Sequence, residues 1–482
     1  MTEQTQTGIQ RSLLSEIEDF CRRSNIAEST FGKRAVNDGK FVNRLRNGKS
    51  TTLATAEKIR TYISSNRTHA AADDANGAST HAAAELSRET AGAEPAGRAS
   101  SGESGPLLRT DFRFYDNRQS YLMFVNTCSE KWVVADRAGM ELDNVEPRPP
   151  ALRVFDAGMG DGTVLASVMR QMHARYPTLP FYVVGKEISL EDVRLCLQKM
   201  ADRFFEHPAT VLVVTNMYYT EAPWLEPRSQ AARADLNWID VPLSGSTARE
   251  FEEQIGELQT LLIDGWKVRP SPKTGNPHYV KPSVLVLYRD DHKFMLDQVI
   301  PRQDSKRADF DLVIASQPYR ARMDVEFKVS RVLAPLVRSL ASGGRLIGIH
   351  SYGKDPGLEI IQNIWPSEDP FRTNNRHVLL QALKRELGDA QNGFSFNAYS
   401  DGRSIFRYEM HTLPDEVGGS SIGTSTLMAA WNDAVYVSQI EDARLQTAIS
   451  QGEYLEATRD VLRKYGGLWF LDESFVVSRR QS

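Results

Sequence analysis

Residues 154–165 read VFDAGMGDGTVL: an apolar run closed by Asp156, then Gly158, Gly160 and Gly162 separated by single residues, then the apolar start of a helix. Glycines at this spacing let the backbone turn sharply from a strand into a helix and approach a ligand where a Cβ would collide. The charges around them select the ligand. A dinucleotide brings an anionic pyrophosphate to the helix N-terminus, where Asp156 and Asp161 are unfavourable neighbours; a ligand carrying ammonium or sulfonium charge is stabilised by the same carboxylates. The spacing also departs from the GxGxxG fingerprint of dinucleotide sites. Further along, His350 closes the apolar run GRLIGIH, where an imidazole can orient or deprotonate an incoming group or, on the blander reading, serve as a satisfied structural residue. No HxxxH, CxxC or CxxxC spacing and no carboxylate cluster suits a metal, so none is expected.

The glycine loop resembles motif I, DxGxGxG, of class I S-adenosylmethionine-dependent methyltransferases. The resemblance implies S-adenosylmethionine as cofactor, held by Asp156, Gly158, Gly160 and Gly162. It implies that Glu187, ending FYVVGKEIS, accepts both ribose hydroxyls, and that Asn216 and Met217, ending ATVLVVTNM, meet the adenine amino group and ring; Asn216 can instead simply cap a strand end. IASQPY, residues 314–319, is similar to the [DNS]PP[YF] motif of amino-methylating members, with Gln317 in place of the first proline. There a polar side chain and a main-chain carbonyl accept hydrogen bonds from the target amine while the aromatic ring covers it, which implies Ser316, Gln317 and Tyr319 as catalytic residues beside His350. In-line displacement needs alignment above all, so the lack of a nucleophile–base pair is no objection. The implied activity is methyl transfer to an acceptor, an amine on the IASQPY reading. Two other readings stay open: a transcription regulator that senses S-adenosylmethionine without turnover, and a nucleic-acid methylase.

Such residues must stand at the ends of strands that alternate with helices. Apolar runs at 152–158, 180–188, 209–217, 309–319 and 344–353 are continuous rather than alternating, as expected of parallel strands covered on both faces. The fold class is therefore α/β, and the resemblance implies a Rossmann-like, mostly parallel sheet of seven strands. This methyltransferase domain spans 111–412. It opens with helices over 111–134, in which Tyr115 and Tyr121 are candidate lid residues, and it contains a polar insertion at 224–305 with its own helix and the candidate strand SVLVLY. GFSFNAYSDGRSIFRYEMHTL reads as an antiparallel pair turning at Asp401 and Gly402. Residues 413–482 form an extension expected to pack on this domain.

Ahead of it, residues 9–66 carry helical periodicity, with breaks at Ser29 and Thr30, at 37–39 and at 47–48. This block resembles the λ-repressor-like helix-turn-helix group. The resemblance implies a double-stranded DNA partner, with Lys40, Asn43, Arg44 and Arg46 toward the major groove and Lys49 at a phosphate; a protein-docking bundle is the other reading. Between the two, residues 67–110 are dominated by Ala, Gly, Ser, Thr and charge and read as a flexible linker.

Composition sets the outer bounds. A chain of 482 residues that is 41% hydrophobic and 25% charged has the make-up of an ordinary globular protein of two or three units. A formal net charge of -4 gives no whole-molecule attraction to nucleic acid, and the insertion balances its Arg and Lys with Asp and Glu, which argues against a target-recognition surface. The three cysteines, Cys21, Cys128 and Cys196, are far apart and read as reduced thiols. The polar opening MTEQTQTGIQ and the absence of a long apolar stretch make the cytoplasm the expected compartment, with no membrane span.

Overall fold

The structure is a computed structural model. It describes residues 118–482 except 272–276, 304–307, 374, 413, 420, 482 and the side chains of 414 and 415. Before residue 118 it describes only 13–14, 16–18, 20–22, 28–36, 38, 40–47, 55, 58–60 and 62–63, without the side chains of 29 and 34. The chain divides into two units, 1–105 and 106–482.

The larger unit is a mixed α/β fold built on strands β1 (Leu152–Asp156), β2 (Phe181–Lys186), β3 (Thr210–Thr215), β4 (Asn237–Leu243), β5 (Val268–Pro270), β6 (Pro277–Tyr279), β7 (Ser283–Arg289), β8 (Phe310–Ser316), β9 (Leu340–Ser351), β10 (Phe394–Asn397), β11 (Ile405–Glu409) and β12 (Trp469–Arg479). Ten of them form one sheet in the order β10-β12-β9-β8-β1-β2-β3-β7-β4, with β11 also on β12; β5 and β6 pair separately. The central five run parallel. All residues of β1 and β3 are buried, as strands covered on both faces must be. Along β1 the side chains alternate between two cores, Leu152 and Val154 joining one and Phe155 the other, the period-2 rule at work.

Around this centre the sheet differs from expectation. SVLVLY is indeed a strand, β7, but it runs antiparallel to β3 and carries β4 on its outer edge. The insertion thus widens the sheet beyond seven strands. The β4 sequence NWIDVPL, half exposed at the edge, has too little apolar pattern to have announced itself. The pair expected within 393–413 does not form. Residues Asp401–Ser404 make a short helix instead of a tight turn, and β10 and β11 both lie antiparallel to β12, on Val476–Arg479 and Trp469–Glu473 respectively. Arg376 holds the break open, its guanidinium donating to Ala398 O at 2.8 Å and pairing with Asp401. Strand β12, from the C-terminal segment, lies antiparallel between this broken strand and β9, inside the sheet rather than upon it.

The helix Thr424–Ser438 of the same segment packs on Arg118–Thr127: Thr127 Oγ1 donates to Asp433 Oδ2 at 2.8 Å, and the Phe124 and Tyr436 rings lie 5.0 Å apart. No described helix is long and apolar enough to cross a membrane.

In the smaller unit, helices Glu28–Val36 and Phe41–Arg46 share a core of Leu13, Ile17, Phe20, Phe31, Val42, Leu45 and Ile59. The expected linker, Tyr115 and Lys49 lie outside the described residues.

Candidate functional site

Strand order reverses at β1, whose neighbours are β2 on one side and β8 on the other. In open α/β sheets ligands bind in the crevice that such a switch point opens at the carboxyl ends of the strands. A cavity of about 390 Å³ lies there, and its lining includes Gly158, Gly160, Glu187, Asn216, Ser316, Gln317 and Tyr319. Tyr121, a candidate lid residue, lines it too, so the sequence named eight residues that the fold brings together. Asp156, Gly162, Met217 and His350 are not on its surface.

Each glycine of the loop has its own steric reason. A Cβ on Gly162 (φ +77) would fall 2.5 Å from Cys196 Sγ and 2.8 Å from Cys196 Cα, so this residue lets the helices Thr163–Arg175 and Leu190–Glu206 touch. A Cβ on Gly160 (φ +50) would fall 2.9 Å from the Tyr121 hydroxyl. At Gly158 the nearest atom would be Ser316 O at 3.8 Å, so the missing side chain here simply leaves space in the cavity.

Beneath the loop Asp156 is 2% exposed; its Oδ1 accepts from Gly158 N at 3.2 Å and its Oδ2 has no partner. Burial pushes its carboxyl up to about 7 against the pull of the Gly158 N–H and the Lys131 ammonium. Asp161 is different. Burial opposes its charge as well, but the Thr163 hydroxyl and the ammonium groups of Lys131 and Lys199 hold it below the usual carboxylate range. Lys199 Nζ lies 3.2 Å from its Oδ2. Glu187 accepts three backbone hydrogens, from Ile188 at 2.8 Å and Ser189 at 2.9 Å on Oε1 and from Gly160 at 3.1 Å on Oε2. Burial nevertheless raises it, with Lys186 opposing.

Asn216 is buried, and its amide is engaged. Both hydrogens go to the insertion, to Gly265 O at 2.9 Å and Lys281 O at 3.0 Å, while Oδ1 accepts from Ser283 N at 2.8 Å. Met217 is fully buried in the core on one face of the sheet.

On the opposite wall Gln317 has φ +46, a left-handed conformation that proline, fixed near -65°, cannot adopt. Its departure from the proline motif is thus a different backbone turn. The Gln317 N–H donates to Ile349 O at 2.9 Å and its amide to Ser351 Oγ at 3.1 Å. Tyr319 lines the cavity, and its hydroxyl lies 3.3 Å from Nδ1 of His350, which is 1% exposed and stands behind it. His350 Nε2 lies 2.9 Å from Glu473 Oε1.

Sequence reasoning missed much of this wall. Tyr219 donates to Pro318 O at 3.0 Å and carries the Lys186 ammonium 4.7 Å over its ring. Tyr436, from the C-terminal segment, and Arg118, paired with Asp192 at 3.0 Å, close the rim. The one available signal was Asp472 and Glu473 inside the otherwise apolar WFLDESFVV.

In the smaller unit Lys40 and Asn43 are exposed. Arg44 pairs with Asp38, and Arg46 is clamped between Glu18 at 2.7 Å and Glu28 at 2.6 Å. No group of ligands suited to a metal occurs among the described residues.

No protein-family model and no curated protein matches the chain. Similar solved structures include a geranyl diphosphate methyltransferase in complex with GPP and sinefungin, at 13% identity over 71% of this chain and 78% of that one with a TM-score of 0.26. A geranyl diphosphate C-methyltransferase from Streptomyces coelicolor A3(2) is similar at 11% identity over 72% and 78%, TM-score 0.24. The rRNA methyltransferase aviRa from Streptomyces viridochromogenes is similar at 14% over 52% and 77%, TM-score 0.17.

Proposed function

We propose that the larger unit is a class I S-adenosylmethionine-dependent methyltransferase. The observation that carries the reading is Asp156 Oδ2, a buried carboxylate oxygen with no partner under a glycine loop at the strand-order reversal. With Glu187 on the wall and Asp161, paired with Lys199, behind the loop, the carboxylates at the glycine turn favour a ligand that brings positive charge over a pyrophosphate, although the Lys131 and Lys186 ammonium groups share the lining. The sheet supports the same reading: between β3 and the broken strand β10/β11 lie seven strand positions, six parallel and one, β12, reversed.

S-adenosylmethionine, when bound, supplies a methyl group on a cationic sulfur. The chain's residues do the rest. Gly158 leaves room for the ligand, and Glu187, fixed by three backbone hydrogen bonds, keeps acceptor capacity on Oε2 for ribose hydroxyls. Asn216 anchors the insertion at the cavity rim: its two hydrogens go to Gly265 O and Lys281 O, and Oδ1, the atom that would accept from an adenine amino group, already accepts from Ser283 N. Ser316, Gln317 and Tyr319 form the wall against which the acceptor lies, with its attacking atom turned toward the methyl carbon.

Titration calorimetry with S-adenosylmethionine, S-adenosylhomocysteine, NAD and FAD is the test of the ligand. The first two bind and the others do not; retention of a dinucleotide and indifference to S-adenosylmethionine would sink the assignment. Release of S-adenosylhomocysteine with a cell extract as acceptor source then separates an enzyme from a sensor, which releases none.

We further propose that residues 9–66 bind double-stranded DNA, tethered by 67–110 to the methyltransferase domain. Exposed Lys40 and Asn43 on and beside the helix Phe41–Arg46 support groove contact, while Arg46, held by two glutamates, contributes stability instead. Lys40→Ala weakens binding to duplex DNA in fluorescence anisotropy; no binding by the intact protein at low salt would leave the docking-bundle reading.

A further inference from the structure

We propose that Glu473, acting through His350, sets Tyr319 to take the proton that the methyl acceptor gives up. The inference rests on the methyltransferase reading and narrows the acceptor to a group whose attacking nitrogen or oxygen carries a hydrogen. Four side chains make the chain of contacts: Tyr319 Oη to His350 Nδ1 at 3.3 Å, His350 Nε2 to Glu473 Oε1 at 2.9 Å, and Glu473 Oε2 to the Arg376 guanidinium at 2.7 Å, with Arg376 N also donating to Glu473 Oε1 at 2.9 Å. Tyr319 is 7% exposed and the others 2% or less. Of the four, only Tyr319 reaches the cavity.

Directionality follows from what each group can donate. Burial opposes the charge of Glu473, yet the hydrogen bonds from His350 and Arg376 outweigh it and keep the carboxyl below its ordinary range. An ionised carboxylate only accepts, so Nε2 of a neutral His350 carries the hydrogen and Nδ1 presents its lone pair. The Tyr319 hydroxyl must then donate to Nδ1, which leaves its oxygen as an acceptor toward the cavity. Tyr319 does not store a charge itself, since burial pushes its phenol well above the usual range; it passes a proton along.

The step balances. As the acceptor's lone pair forms its bond to the methyl carbon, the carbon–sulfur bond breaks and its electron pair stays on sulfur. The acceptor's hydrogen moves to Tyr319 Oη and the phenol hydrogen to His350 Nδ1, so the positive charge lost from sulfur ends on an imidazolium beside Glu473. The other charged groups facing this chain are Arg376, its partner Asp401 and Lys328, whose ammonium lies 5.4 Å from the Tyr319 ring centre and donates to Ala321 O at 2.6 Å; Phe475 packs on His350 at 6.0 Å. A purely structural triad would hold the same atoms together without making turnover or its pH profile depend on the Tyr319 hydroxyl.

Long-range 15N NMR of the intact protein reads the tautomer without any acceptor. The uncharged His350 ring is expected in the Nε2–H form, and Glu473→Gln is expected to populate the Nδ1–H form; Nδ1–H in the wild type overturns the inference. Tyr319→Phe, which removes one oxygen from a filled site, is expected to keep S-adenosylmethionine affinity within twofold. It should lower S-adenosylhomocysteine release with cell extract about 100-fold and flatten the acid limb of the rate profile. Turnover and pH profile unchanged in Tyr319→Phe overturn this role alone, whereas a wild type that neither binds the cofactor nor releases product overturns the methyltransferase reading and this role with it.

Discussion

The cavity has two walls built in opposite ways. One is a nearly continuous stretch of chain: the glycine loop at 158–162, then Glu187 and Asp192 one helix and one strand later. The other is assembled from Arg118, Tyr219, Ser316–Tyr319 and Tyr436, with His350, Arg376 and Glu473 behind them. The first wall is held by backbone hydrogen bonds and Cβ-free close approaches, which a short sequence pattern encodes. The second is held by side chains that meet only once β12 has entered the sheet beside β9. Local chemistry fixes one wall of the cavity, and long-range topology completes the other.

The sharpest way to break that contrast is inside the glycine loop. Gly162→Ala adds a Cβ in a left-handed conformation against the backbone and side chain of Cys196, so a loss of about 2–5 kcal/mol of stability is expected. Gly158→Ala, whose Cβ meets nothing closer than 3.8 Å, leaves the melting temperature near that of the wild type while weakening cofactor binding. Thermal denaturation beside calorimetry checks both; equal destabilisation by the two substitutions would refute the division of labour within the loop.

Next in size is Glu187. Its loss removes a charged acceptor for the ligand and the partner of three backbone N–H groups, so Glu187→Ala is expected to cost about 1–3 kcal/mol of cofactor affinity. Unchanged affinity would mean the carboxylate serves the loop alone. Asn216→Ala makes the opposite split: it removes a donor from Lys281 O, one of the two donors of Gly265 O and the acceptor of Ser283 N and is expected to lower stability by about 1–3 kcal/mol, with affinity within twofold of the wild type. A selective loss of affinity would restore Asn216 to the adenine site.

These cases also mark how far the sequence could be read. The five central strands and the loop were legible because continuous apolar runs and spaced glycines are local signals. The family resemblance places Asn216 at the adenine; it lines the cavity, and the insertion carbonyls of Gly265 and Lys281 that take its hydrogens lie 49 and 65 residues away, beyond the reach of a local motif. The AspGly turn at 401–402 read as a hairpin because nothing in that stretch reveals that β12, arriving some sixty residues later, offers an edge to both strands. Gln317 looked like a damaged proline motif until its positive φ gave the reason. Glu473 had a legible cue, an acid pair within an apolar strand, whose partner His350 was already in view.

The smallest expected effect tests the first wall by its electrostatics. The Asp156 carboxyl, raised to about 7 by burial, holds a proton in the folded protein that the unfolded chain has lost above its ordinary value near 3.8, so this group lowers stability as pH rises between those values and the penalty is complete above about 7. A cationic ligand beside it favours the ionised form. Binding near pH 7 should therefore expel about half a proton, and affinity should rise as pH approaches 7 and level off above it. Calorimetry in two buffers of different ionisation enthalpy measures the release directly. Asp156→Asn should abolish both the release and the pH dependence, and a proton uptake on binding would mean that the ligand brings negative charge to the loop, contrary to everything this wall is built to favour.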